Sequence, residues 1–263
     1  AWCVFETYLR FSDDFFSTDP LGSTDEAEFQ AFLQECGFHI LDISPCADGR
    51  LAHVIRYVLR LPYRTVRRKS YAGALFDIED SLAKWGETEL LRFREGTPNT
   101  ADAPTRYLKA VVYHYSSGAP DTEGCAAHGS DAVRAAQAGR ERLQAFQQAV
   151  ENSYCCGASI DLLLIGLDTD TDAIRLHLPD GAGGIEPEAW VDAAQLYDET
   201  RGLHARDAGE RIDARLREGA PEAPAGMLRL LGRLLENKLS QIEYVQRHHG
   251  ARYPDIGHAE RFI

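Results

Sequence analysis

The feature that most constrains this chain is a short apolar run, FHILDIS (Phe38–Ser44), that stops at Pro45 and passes through the turn PCADG into a helical pattern, RLAHVIRYVLRL, ending before Pro62. Apolar residues without helical spacing read as a buried strand, and a strand feeding a helix through a short turn is the unit from which α/β folds are built. A second run, RYLKAVVYHYSS (Arg106–Ser117), is rich in Val and Tyr and reads as another strand. The fold class expected is α/β: a central, mostly parallel sheet flanked by helices, with additional helices at both ends of the chain.

Helical patterns fill most of the remainder. STDEAEFQAFLQECG has a Ser/Thr/Asp start, acids in its first turn and a stop at Gly37, and residues 1–36 read as a helical lead-in. FDIEDSLAKWGETELLRFREG predicts one helix or a pair. Ser130 caps a long helix reaching about Tyr154, with Ala132, Ala135 and Ala136 giving one face room for close approach. SIDLLLIGLDTDTDAIRLHLP predicts two strands about a polar turn, and EAWVDAAQLYDETRG, ARDAGERIDARLREG and MLRLLGRLLENKLSQIEYVQRHHG predict helices, the last with an amphipathic face for the core or a subunit contact.

Charge narrows the function classes. With 41 acidic against 28 basic side chains the net charge is −13, which argues against generic nucleic-acid binding and against docking on anionic lipid. No run of 18 apolar residues predicts a membrane span, and the start AWCVFETYLRFSDDFF has neither the basic nor the apolar region of a signal peptide. Without an initiator Met, the chain is expected to be a fragment or a processed form.

Six cysteines, Cys3, Cys36, Cys46, Cys125, Cys155 and Cys156, are irregularly spaced in a large acidic chain, so reduced thiols are expected, some of them metal ligands. Cys46 and His114 fall at the carboxyl ends of the two clearest strands, the edge where open α/β sheets bind ligands. With Cys125 they make a three-ligand set of the kind catalytic zinc uses, and two thiolates with a neutral imidazole balance the charge of Zn²⁺. Asp48, two residues past Cys46, is placed to reach the open coordination position and accept a hydrogen bond there. Arg50, two further on, can hold Asp48 ionised through a charge-assisted pair.

The pattern Cys46-x-Asp48-x-Arg50 followed by a His and a second Cys resembles the signature of β-class carbonic anhydrases. The usual second half is H-x-x-C, whereas here His114 and Cys125 are spaced H-x10-C. That spacing is similar to the divergent branch found as the carboxysome shell carbonic anhydrases, formerly called the ε class. CADGRL, RKSYAGALFDIE, FREGTPNTADAPTRYLK, EGCAAHGSD, AVENSYCCGAS and LIGLDTDTDAIR all resemble that family. The resemblance implies zinc-dependent, reversible hydration of CO₂ to bicarbonate, with one Zn²⁺ per chain on Cys46, His114 and Cys125, and Asp48 and Arg50 as the catalytic dyad. It implies a homodimer or a multiple of dimers inside a carboxysome, a bacterial microcompartment for carbon dioxide fixation, on the inner side of the shell. There the enzyme would supply CO₂ to Rubisco, with shell proteins or Rubisco as partners and neither nucleic acid nor membrane. It also implies that residues 37–263 are the zinc catalytic domain, and that the family's N-terminal helical and C-terminal zinc-free domains are missing.

Two other functions stay open: a catalytically inactive zinc-bearing shell or scaffold protein, against which the intact Asp48–Arg50 pair speaks, and a thiol redox protein using Cys155–Cys156, which lacks the C-x-x-C spacing. Lesser signals read as structural. The stretch from Asp168 has the look of a calcium loop, but Ala173 and Pro179 stand where Gly and Glu are needed, so a hairpin turn is expected. Cys155 and Cys156 read as packing. His248 and His249 suit a helix C-terminus. YRTVRRKS reads as a solvated connection, with a phosphate site as the alternative, and His128 as a proton relay or a structural hydrogen bond.

Overall fold

A computed structural model describes residues 25–51, 54–62, 66–100, 102, 105–153, 159–180 and 183–249. Most of the expected helical lead-in, together with Cys3, Cys155 and Cys156, lies outside the described residues. One six-stranded sheet runs in the order β2-β1-β3-β4-β5-β6: β1 is Ile40–Pro45, β2 Val66–Arg68, β3 Arg106–Tyr115, β4 Ser159–Asp168, β5 Ile174–Pro179 and β6 Ile185–Asp192. The β1–β2, β1–β3 and β3–β4 pairings are parallel, while β4–β5 and β5–β6 are antiparallel, so the sheet is mixed and mostly parallel. Nearly every residue of β1 and β3 is buried, which requires cover on both faces of the sheet.

Six helices are described. The first, α1 (Glu26–Glu35), starts where the Asp25 carboxylate accepts from the backbone N–H groups of Ala27 and Glu28. The second, α2 (Ile78–Arg94), is one helix, capped by Asp77, with Glu79 and Asp80 in its first turn and Arg92 and Arg94 in its last, each charge matched to the helix dipole. The third, α3 (Ala132–Ser153), buries Ala135, Gly139, Leu143, Phe146 and Val150, a stripe at helical spacing. It lies tightly against the sheet at Gly139, where a Cβ would stand 2.9 Å from Leu164 and 3.1 Å from Val111. The remaining three are α4 (Ala193–Thr200), α5 (Ala205–Gly219) and α6 (Ala225–His249).

Several expectations change. Ser130 is not the cap of α3: its φ is +62°, and Asp131 takes the role, accepting from Val133 N at 2.8 Å and Arg134 N at 3.1 Å. EAWV is strand, not helix. Ile185 and Val191 point inward while Glu186, Glu188 and Trp190 are exposed, and Asp192 then caps α4. RLAHVIRYVLRL folds as a 3-10 turn at Gly49–Leu51 and a π-helical turn at Val54–Val58, with residues 52–53 outside the described ones. Pro62 disfavours helical backbone at Leu61, and Arg60 turns left-handed at φ +52°, so helical backbone ends there.

The basic stretch, of which residues 63–65 lie outside the described ones, is a solvated connection only in part, at exposed Lys69 and Ser70. Val66–Arg68 is the edge strand β2, and Arg67 donates to Asp42 at 2.7 Å and to Asp80 at 2.5 Å. Asp42, fully buried on β1, also accepts from Tyr107 Oη at 2.5 Å and Lys109 Nζ at 2.9 Å on β3. This network ties β2, β1 and β3 in register; removing either side of a buried pair would strand an unpaired charge. The apolar face of α6 serves the core, with Leu230, Leu231, Leu234 and Leu235 buried within the chain. Exposed apolar side chains gather instead near the end of α2, at Leu90, Leu91 and Phe93.

Candidate metal centre

Cys46 is the first residue past β1. Its N–H donates to Val112 O on β3 at 2.9 Å, and it makes an isolated bridge to Tyr71, so two neighbouring segments fix where its thiol starts. His114 comes from the carboxyl end of β3 and is buried. Cys125 arrives from a long loop and sits at the start of a 3-10 turn, Ala126–His128.

The loop between His114 and Cys125 is stitched to the β4–β5 turn. Asp168 accepts from Ser117 N at 3.1 Å, Ser117 Oγ at 2.6 Å and Thr171 Oγ1 at 2.7 Å; Asp170 accepts from Ser116 Oγ at 2.7 Å and Gly118 N at 2.6 Å. The acidic turn is therefore the hairpin expected, and its carboxylates organise the ligand-bearing loop.

These elements bring the three expected ligands together. One donor atom each from Cys46, His114 and Cys125 lies within 4.8 Å of the others, and all three residues are buried. The two sulfurs are 3.8 Å apart and both thiols are free. A disulfide would hold them at about 2.0 Å, whereas two Zn–S bonds of about 2.3 Å at a tetrahedral angle place sulfurs about 3.8 Å apart. The donor set and its spacing fit a tetrahedral zinc site.

Asp48 and Arg50 stand at its rim as a two-pronged pair, Nε to Oδ1 at 3.0 Å and Nη2 to Oδ2 at 3.0 Å, with the Arg50 N–H also donating to Oδ1 at 2.9 Å. His114 Nε2 lies 3.3 Å from Asp48 Oδ2 and 3.2 Å from Arg50 Nη2, so it is the nitrogen turned toward the dyad. His114 Nδ1 is buried and meets no hydrogen-bond partner among the described residues. The far end of Arg50 reaches further than the sequence indicates: Nη1 donates to Glu123 O at 2.8 Å and to Thr169 Oγ1 at 3.3 Å. Arg50 thus fixes Asp48 and also the loop two residues ahead of Cys125.

The titration states follow from these contacts. The hydrogen bond from Cys125, outweighing burial and aided by His114, pushes Cys46 down to about 4. The same shared proton, together with burial, pushes Cys125 up. Cys46 is thereby the readier of the two to ionise, and binding a dication requires both sulfurs deprotonated. Burial works against ionised Asp48, but His114 and Arg50 outweigh it and hold the carboxyl well below its usual range. Burial would lower His114, yet Asp48 and Cys46 raise it. His128 turns away from the dyad's work, with Nε2 2.9 Å from Gly73 O.

Comparison with known proteins places this geometry. The family model "Carboxysome Shell Carbonic Anhydrase, catalytic domain" matches residues 28–258. The chain is 56% identical to a carboxysome shell carbonic anhydrase of Prochlorococcus marinus (strain MIT 9313), over all of this chain and 52% of that protein. It is 54% identical to one of Parasynechococcus marenigrum (strain WH8102), over all of this chain and 46% of the relative. It is 52% identical to one of Halothiobacillus neapolitanus (strain ATCC 23641 / c2), over 91% of this chain and 49% of the relative. The chain spans about half the length of these curated relatives.

Proposed function

The chain belongs to the carboxysome shell carbonic anhydrase family, and from that premise we propose that it holds one zinc ion on Cys46, His114 and Cys125 and catalyses the reversible hydration of CO₂ to bicarbonate. The observation that carries the reading is the 3.8 Å sulfur pair beside a buried imidazole, with a carboxylate locked by an Arg fork at the rim. A zinc ion in such a site supplies Lewis acidity, bringing the pKa of a coordinated water from about 15.7 towards about 7.

The chain's own groups do the rest. Cys46 and Cys125 would provide two negative charges and His114 a neutral donor to such an ion, three protein ligands being the number catalytic zinc sites use. Asp48, kept ionised by Arg50, would accept a hydrogen bond from the attacking water and orient it. Arg50 holds both Asp48 oxygens in its fork and would keep the carboxylate, 3.3 Å from His114 Nε2, from becoming a ligand itself. With the dyad fixed before substrate arrives, no reorganisation is needed during reaction.

The remaining parts of the proposal rest on the family and its relatives' names. Residues 37–263 act as the catalytic unit, working as a homodimer or a multiple of it in the carboxysome, against shell proteins or Rubisco, and supplying CO₂ to Rubisco. Among the described residues no helix is long and apolar enough to cross a membrane. Zinc content and stopped-flow CO₂ hydration on the purified chain test the core reading. One zinc per chain with rapid hydration supports it; one zinc with no hydration above buffer would favour the inactive scaffold.

A further inference from the structure

The two cysteine-bearing turns are 79 residues apart in sequence, yet their sulfurs sit 3.8 Å apart. A third segment, Tyr71–Ala74, lies between them. On one side it is bound to the Cys46 turn: Tyr71 N donates to Pro45 O at 3.1 Å and Ala47 N donates to Tyr71 O at 2.8 Å. On the other side it meets the Cys125 turn, where His128 Nε2 lies 2.9 Å from Gly73 O. A carbonyl only accepts, so Nε2 carries the proton there. The turn itself closes on the ligand residue, with His128 N and Ser130 N both donating to Cys125 O, at 3.0 and 2.9 Å. His128 is therefore the side-chain end of the same turn that carries Cys125.

The backbone is shaped for this meeting. Gly73 has φ +63°, and a Cβ there would stand 2.8 Å from His128 Nε2 and 3.0 Å from the Ala127 Cβ. Ala74, next in line, is left-handed as well at φ +59°. Two consecutive left-handed residues, one of them not glycine, are held where the carbonyl faces the histidine. Arg50 ties the loop upstream of Cys125 through Glu123 O. Downstream, the His128–Gly73 bond is its counterpart.

We propose that the hydrogen bond from His128 to the Gly73 carbonyl clamps the Cys125 turn against the turn that follows Cys46, and that His128 is thereby a positioning residue for metal retention. It touches neither substrate nor metal; it sets the sulfur-to-sulfur distance on which the tetrahedral site depends. This also accounts for how an H-x10-C spacing can serve. Cys125, on a loop whose start is held by Asp168 and Asp170, is located at its own end by the ties at Glu123 and His128. The inference rests on the metal-site reading above.

The test is the rate at which the zinc-loaded chain gives up its metal to a chromogenic chelator, alongside the melting midpoint of the zinc-free chain. His128→Ala should release zinc about 10–100-fold faster, the range typical for groups that orient ligands, with the zinc-free midpoint unchanged. His128→Gln, whose terminal N–H reaches the same carbonyl, should restore most of the retention. Equal release rates for wild type and His128→Ala would overturn the proposal. So would a lowered zinc-free midpoint without rescue by Gln, which marks a general structural loss. Retained zinc with hydration lost in His128→Ala and recovered in imidazole buffer would overturn it in favour of a proton relay. A wild-type chain that takes up no zinc at all would instead defeat the metal-site reading itself.

Discussion

Replacing Arg50 by Ala separates metal binding from catalysis. The substitution removes both prongs to Asp48, Nε to Oδ1 and Nη2 to Oδ2, each 3.0 Å. Charge-assisted hydrogen bonds are worth about 1.5–3 kcal/mol each. The two side chains are 18% and 25% exposed, so the lower end applies, roughly 3 kcal/mol for the pair. At about 1.4 kcal/mol per decade, a loss of that size from the transition state slows hydration about 10²-fold. Asp48, already 3.3 Å from His114 Nε2, is then free to turn onto the metal. Zinc content in excess zinc should stay near one per chain, because Cys46, His114 and Cys125 remain as ligands, although losing the Arg50 tie to Glu123 O should speed zinc release. Arg50→Lys keeps the charge but not the fork and should recover only part of the rate. The assay is stopped-flow hydration with a pH indicator, normalised to zinc measured on the same sample. A wild-type rate in Arg50→Ala at full zinc occupancy would show that the fork does nothing for the reaction.

Three further outcomes follow from the packing and the titrating groups. Gly139→Ala should destabilise the fold by about 1–3 kcal/mol despite alanine's better helix propensity, because the new Cβ meets Leu164 at 2.9 Å; urea unfolding reads this, and a gain in stability would mean the α3–sheet contact is loose. His177 is pushed down to about 4 by burial and then by Arg175. The unfolded chain takes its proton first, near 6.5, so stability from His177 is lost as pH falls from about 6.5 to about 4, by up to about 3 kcal/mol. His177→Gln should flatten that part of the stability curve, and an unchanged slope would place the proton elsewhere. Cys155→Ser and Cys156→Ser should leave hydration intact, with thiol reductants tolerated; loss of activity with zinc retained would give these cysteines a role they are not assigned here.

What the sequence discloses and what it conceals divide along range of interaction. Cys46, Asp48, Arg50 and His114 are legible because their chemistry is unusual and their places are local: a strand end, a turn, a strand end. The Ser/Thr/Asp start of α1, realised at Asp25, is equally local. β6 is not, since Glu186, Glu188 and Trp190 point outward only once β5 lies beside them, and EAWV flows into a real helix. The choice of Asp131 over Ser130 turns on a left-handed backbone residue that the Cys125 turn imposes. Arg67 reads as solvated until Asp42 and Asp80 are seen to converge on it. The Arg50–Glu123 and His128–Gly73 ties each join a side chain to a carbonyl more than fifty residues away. A backbone carbonyl has no residue identity, so no pattern of side chains could have indicated either.

The central claim is that two thiolates and one imidazole of this chain hold a zinc ion with a position left open. Zinc-edge X-ray absorption on the purified, zinc-loaded chain tests it most directly. The expected first shell is two sulfurs at about 2.3 Å and two lighter atoms at about 2.0–2.1 Å, falling to one sulfur or to lost metal in Cys125→Ala. A shell with any other number of sulfurs in the wild-type chain, or an unchanged spectrum in Cys125→Ala, would contradict the assignment of Cys46, His114 and Cys125.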